Sequence, residues 1–240
     1  MINNMDKKYD SIIPPKKWEF NEAVTNCFDN MLERSIPGYD RMRELVFEFG
    51  KEFVKKKTTV VDIGCSLGNA IFPFVEKFHD SCHFIGIEPS SSMVEQARER
   101  YKKEIEQGIV EIFQKKVEDF VPSQNVSLIL SVLTLQFVSI EERYKVVQQL
   151  YASLVPNGAM ILVEKTSSTN FDLFEKIYYD LKRKNGYTDE QIYSKKESLT
   201  NCLIPLSRKD NVSMLKKAGF NNIECIWTDM MFSAWIAIKE

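Results

Sequence analysis

Histidine is nearly absent from the 240-residue chain, which has only His79 and His83. The five cysteines, Cys27, Cys65, Cys82, Cys202 and Cys225, are scattered and include no C-x-x-C pair. Neither residue type has partners at metal-ligand spacing, so no metal site is expected. The isolated thiols read as those of a reduced, cytoplasmic protein. Long apolar runs are also missing. The longest, Val126 to Ile140, is broken by Ser127, Ser131, Thr134, Gln136 and Ser139, and a membrane span needs about 20 apolar residues. Met1 to Asp10 is polar and charged, with no stretch of signal-peptide character. Excess charge of one sign is lacking too: 32 basic and 34 acidic residues leave a net charge of −2. No bulk positive charge draws the chain to nucleic acid, although a local patch for tRNA is compatible with this balance. Among the nine glycines there is no G-x-G-x-x-G.

What is present is an ordinary globular composition, 44% hydrophobic and 28% charged, at a length that suits one α/β domain. Helical spacing of apolar residues predicts helices over Trp18 to Leu32 and Tyr39 to Phe53, separated by the Pro37-Gly38 turn. Strands are expected at Thr58 to Ile63, His83 to Ile87, Ile109 to Phe113, Val126 to Val132 and Ala159 to Val163. Helices at Ala70 to Phe78, Ser90 to Glu106 and Glu141 to Leu154 fall between them. This alternation predicts a mainly parallel sheet. It breaks after Lys165, where Asn170 to Asn185 and Asp189 to Leu199 read as two helices. The basic end of the first, Lys182-Arg183-Lys184, suits a helix C-terminus. Asn211 to Ala218 reads as a last helix, followed by strands Asn222 to Thr228 and Phe232 to Ile238, joined tightly enough to be antiparallel. The expected organisation is a single domain over 1–240, with a helical flank at 1–55, a ligand-binding core at 56–165, a helical cap at 166–205 and a C-terminal helix and hairpin at 206–240.

The most informative stretch is Val60-Val61-Asp62-Ile63-Gly64-Cys65-Ser66-Leu67-Gly68. A buried strand ends there in a glycine turn and a helix begins, so a ligand can approach the backbone closely. Glu88, at the end of the next strand, lies 20 residues beyond Gly68. A carboxylate at that place can accept two hydrogen bonds from ribose hydroxyls. A dinucleotide enzyme would need G-x-G-x-x-G facing a pyrophosphate, and here the spacing is G-x-x-x-G. An acid before the first glycine, together with an antiparallel last strand, fits a class I methyltransferase. The expected fold is therefore Rossmann-like, with a seven-stranded sheet, a helical N-terminal flank and a helical insertion after strand five. The expected cofactor is S-adenosyl-L-methionine (SAM).

Further stretches narrow the reading. They are Phe28-Asp29-Asn30-Met31-Leu32-Glu33-Arg34-Ser35-Ile36-Pro37-Gly38-Tyr39, the Gly64-Cys65-Ser66-Leu67-Gly68 turn, Thr134-Leu135-Gln136-Phe137, Glu164-Lys165, Lys182-Arg183-Lys184-Asn185-Gly186-Tyr187 and Lys216-Lys217-Ala218-Gly219-Phe220. From about Trp18 to Ile238 the chain resembles the carboxy-S-adenosyl-methionine synthase family. The resemblance implies a class I fold, a homodimer, and conversion of SAM and prephenate into carboxy-SAM for tRNA wobble-uridine modification. It places Tyr39, Gly64, Cys65 and Ser66 on ligand positions. Glu88 stands for the family's aspartate at the ribose, and Pro89 for an asparagine. Lys116 replaces an aspartate near the adenine, where Val117 still offers its backbone. Val132 replaces an asparagine on the ligand. Lys196 replaces an arginine that grips the added carboxylate, and a lysine lacks the two-pronged geometry of a guanidinium. These departures favour methyl transfer from ordinary SAM to a small-molecule acceptor. Carboxy-SAM synthesis is the alternative, and a non-catalytic SAM-binding module is a second one.

Three side chains carry open readings. Glu164 is either a general base or a structural carboxylate paired with Lys165. Tyr178 and Tyr179 either line a substrate pocket or simply pack. Cys65 has no histidine nearby in sequence to activate it, so a backbone role is expected.

Overall fold

The computed structural model describes residues 10–14, 17–123 and 125–240. Seven strands form one sheet in the order β3-β2-β1-β4-β5-β7-β6. They are β1 (Thr59–Ile63), β2 (His83–Glu88), β3 (Val110–Gln114), β4 (Val126–Val132), β5 (Leu154–Lys165), β6 (Asn222–Asp229) and β7 (Phe232–Ile238). The strands β1 to β5 pair in parallel, and β7 runs antiparallel to both β5 and β6. Order reverses between β1 and β4, and ligands of open α/β sheets bind at the carboxyl ends of strands beside such a switch.

Both faces of the sheet are covered, which is why its central strands are apolar without alternation. On one face, Val60, Phe84, Leu128 and Ile161 pack against Met42, Val46 and Phe74. On the other, Val61, Ile129, Met160 and Leu162 pack against Val147, Leu150 and Leu215. These contacts come from the helices α2 (Tyr39–Gly50), α3 (Phe72–Phe78), α6 (Ile140–Ser153) and α9 (Arg208–Ala218). Neighbouring strand residues serve opposite faces, as the pleat requires.

Most boundaries shift by one to three residues from the sequence expectation, and three differences are larger. The first helix, α1 (Glu22–Ser35), starts four residues later than Trp18 because the Asn21 side chain accepts from the Val24 amide and caps it there. Trp18 to Phe20 lies outside any helix or strand instead, and the Phe20 ring meets Phe137 edge-on at 5.2 Å. The expected Ser90 to Glu106 helix is split into α4 (Ser91–Arg100) and α5 (Lys102–Glu106) at Tyr101. The Tyr101 hydroxyl turns to donate to the Gly68 carbonyl at 2.6 Å. Strand β5 begins at Leu154, directly after α6, rather than at Ala159.

The insertion after β5 forms α7 (Phe171–Lys184) and α8 (Asp189–Leu199), the latter started by a Thr188–Gln191 capping box. Tyr178, Tyr179 and Ile192 pack with Ile36 and Phe232, so the insertion lies over the β7 end of the sheet. The buried Asp10 clasps it to α1. The Asp10 carboxylate accepts from the Tyr187 hydroxyl and from Lys195 Nζ at 3.4 Å, and its carbonyl accepts from Arg34 Nη1 at 2.8 Å.

Candidate functional site

The turn after β1 is built for close approach. Gly64 and Gly68 have φ of +66° and +77°. A Cβ on Gly64 would lie 2.4 Å from the Thr134 side chain, which no rotation of a methyl group relieves. Ser66 takes φ of +50° without being glycine, a strained position of the kind found at ligand sites. Its amide donates to Glu88 Oε2 at 3.0 Å, and the Ser90 amide donates to Oε1 at 2.9 Å. Glu88 is therefore fixed at the end of β2 by two backbone bonds. Burial raises its pKa, and the two amides oppose that shift. Each carboxylate oxygen keeps a lone pair for a further donor such as a ribose hydroxyl.

Beside this turn, Asp62 is fully buried and its Oδ2 has no hydrogen-bond partner among the described residues. Burial pushes its pKa up to about 7, opposed by the Arg43 charge and supported by Glu88. An orphaned buried oxygen is costly unless a ligand supplies a donor, and the α-ammonium of SAM is such a donor. The residues present thus fit SAM. Burial pushes the Cys65 thiol far above its usual value, with Asp62 and Glu88 adding to the shift. Cys65 is not a thiolate nucleophile; its amide instead donates to the Ile87 carbonyl at 2.9 Å.

The cavity that opens here, about 400 Å³, continues from the glycine turn to the underside of α7 and α8. That volume suits a ligand of cofactor size. In the far chamber stand Lys165, at the end of β5, and Lys182, on α7. Their ammonium groups lie 5.1 and 4.9 Å from the Tyr178 ring centre. Among the described residues neither has a hydrogen-bond acceptor or ion-pair partner for that ammonium. Burial lowers both pKa values, that of Lys182 to about 7 with help from the Lys195 and Lys165 charges. Lys196 differs: its Nζ is bound to Glu175 Oε2 at 2.8 Å.

Of the residues singled out in the sequence, Tyr39, Asp62, Gly64, Cys65, Ser66, Glu88, Pro89, Val132 and Lys196 line this one cavity. Gly68 shapes the turn from behind. Lys116 is exposed and Val117 is buried in the core, and neither belongs to the cavity wall. Glu164 is not part of the wall either. Its Oε1 accepts from the Leu135 amide at 2.9 Å, and burial raises its pKa to about 8 against the Arg143 charge. It holds the 134–136 turn and is no base for the cavity. Tyr178 and Tyr179 do both things considered for them, packing in the cap and lining the cavity. Sequence reasoning missed Arg43, Lys165 and Lys182. One signal was available for Lys182: it lies four residues after Tyr178 and shares its helix face.

The sheet order, glycine turn and downstream acid define a class I SAM-dependent transferase. Residues 60–158 match the family described as a methyltransferase domain. Human N-acetylserotonin methyltransferase, solved in complex with SAM, has the same fold at 12% identity, with a TM-score of 0.60 over 91% of this chain and 55% of that one. Two relatives match at higher identity, and both are named carboxy-S-adenosyl-L-methionine synthase. The Staphylococcus epidermidis protein is 35% identical over 94% of this chain and 98% of its own length. The Methylococcus capsulatus protein is 33% identical over 92% and 93%. The chain belongs to the carboxy-S-adenosyl-L-methionine synthase family, and SAM is its cofactor or substrate.

Proposed function

We propose that the protein is a carboxy-SAM synthase, which takes SAM and prephenate and returns carboxy-SAM. The observation that carries this reading is the pair of lysine side chains, half-buried Lys165 and buried Lys182, which line the same cavity as the glycine turn and, among the described residues, have no hydrogen-bonded or ion-paired anion, although the charges of Glu175 and Asp10 are felt there. Two buried cations are costly unless counter-charge arrives with a ligand, and prephenate is a dicarboxylate. A neutral methyl acceptor would give neither lysine a hydrogen-bonding anion. The balance is SAM plus prephenate giving carboxy-SAM, phenylpyruvate and water. Loss of the ring carboxylate and ring hydroxyl makes the prephenate ring aromatic, which releases carbon dioxide and a base equivalent together. Bound SAM supplies a methyl group acidified by its sulfonium. The chain's part is then to align the two substrates and exclude water; the Glu175 carboxylate that lines the chamber is engaged by Lys196 and by the Tyr179 hydroxyl. The product serves tRNA wobble-uridine modification.

The exposed Phe171, Leu173, Ile177 and Tyr193 on the cap support association of two copies, which sedimentation tests directly. Mass spectrometry of the purified protein incubated with SAM and prephenate tests the reaction. Carboxy-SAM and phenylpyruvate are expected in equal amounts. Unchanged prephenate, with SAM demethylated by an extract fraction, would instead restore methyl transfer as the function.

A further inference from the structure

Arg43 comes from the second turn of α2, and nothing in the glycine turn announces it. It lines the cavity beside Asp62 and Gly64. Its Nη2 donates to the Asn69 carbonyl, and its Nη1 to the Tyr39 hydroxyl at 3.4 Å. Two of its five N–H donors are thereby used to hold the guanidinium in place, and the rest stay available. Its charge is felt at Asp62, where it opposes the effect of burial. Yet no hydrogen bond or ion pair joins Arg43 to Asp62 among the described residues, and Asp62 Oδ2 stays without a partner. A buried acid and a positioned base thus face one space without meeting across it.

The amino-acid end of SAM carries one charge of each sign on one carbon. We infer that Arg43 and Asp62 together read that end, the guanidinium taking the α-carboxylate and the Asp62 carboxylate taking the α-ammonium. A guanidinium suits a carboxylate because its donors form a planar fork. Placement of the zwitterion fixes the sulfonium relative to the chamber of Lys165 and Lys182, so Arg43 is a positioning residue for whichever group is transferred. The inference rests on SAM as ligand and not on carboxyl transfer; its failure leaves that reading intact.

The test is calorimetric and needs no turnover. SAM and decarboxylated SAM are each titrated into the unmodified protein, Arg43→Gln and Arg43→Lys. The unmodified protein should prefer SAM by about 10- to 150-fold, the range for hydrogen bonds to a charged group. Arg43→Gln should lose most of that preference by weakening SAM alone, and Arg43→Lys should keep part of it. Equal affinity of the unmodified protein for the two ligands would overturn the inference. So would equal weakening of both ligands in Arg43→Gln, which is what a mere counter-charge for Asp62 would give. If the Gln variant does not fold, the unmodified protein and Arg43→Lys decide the matter by the same comparison.

Discussion

Lys196 Nζ is bound to Glu175 Oε2 at 2.8 Å, and the other oxygen of Glu175 accepts from the Tyr179 hydroxyl, also at 2.8 Å. The position where the resembled family carries its carboxylate-gripping arginine is therefore already neutralised in this chain. Among the described residues Lys165 and Lys182 are in no such ion pair.

Lys165→Met and Lys182→Met should each raise the KM for prephenate by at least about 10-fold, the scale of one charge-assisted contact, while the SAM affinity stays within about 2-fold. Lys196→Met should change the prephenate KM by less than about 3-fold, because a half-exposed ion pair contributes little. Steady-state kinetics with calorimetric SAM binding separates the two outcomes. A large effect of Lys196→Met alone would return the grip to that position.

Prephenate binding should weaken as pH rises through about 7. Lys182 is held down to that value by burial, so its free form is charged below it and neutral above it. Only the charged form suits a carboxylate. Binding at pH 8 should accordingly draw a proton from solvent. Calorimetry in buffers of different ionisation enthalpy reads that uptake, and it should vanish in Lys182→Met.

Glu88→Ala should weaken SAM by about 1.5–3 kcal/mol, as expected for losing hydrogen bonds to a carboxylate. Two contributions are bundled in that figure, because Glu88 also anchors the Ser66 and Ser90 amides. Glu88→Gln, which keeps one acceptor oxygen, should lose less. Titration of both variants with SAM checks the order.

Unfolding free energy without ligand should fall between pH 5 and 8, in part through Glu164. Its pKa is raised from 4.5 to about 8 by burial. Between those values the folded state keeps a proton that the unfolded state has released. The stabilisation is complete below pH 4.5 and is lost as pH rises through about 8. Glu164→Gln should flatten the slope, as measured by urea unfolding at pH 5, 6.5 and 8.

The sheet and the glycine turn were legible because their signals are local. An apolar run ending in Gly64 and an acid 20 residues past Gly68 need no knowledge of the rest of the chain. Trp18 misled for a physical reason: aromatic side chains at helical spacing pack as well from an irregular segment, and Asn21 decides where the helix starts. In the sequence Lys165 reads only as a partner for Glu164, and Lys182 only as part of a basic helix end. One ends a strand and the other sits on the cap, and only the fold brings them onto the same tyrosine ring. Lys116 and Val117 follow β3, and the chain turns them away from the cavity wall.

Asp10 also ties this site to the order in which the chain is made. Its partners Tyr187 and Lys195 lie 177 and 185 residues further along, among the longest separations the polypeptide offers. On a ribosome, β1 to β5 and the glycine turn have all been synthesised before either partner exists. Closing a loop of that span is a late step. A nascent chain halted before residue 187 holds the glycine turn but has no latch for the roof of its cavity, so the cavity is finished only after most of the protein has left the exit tunnel.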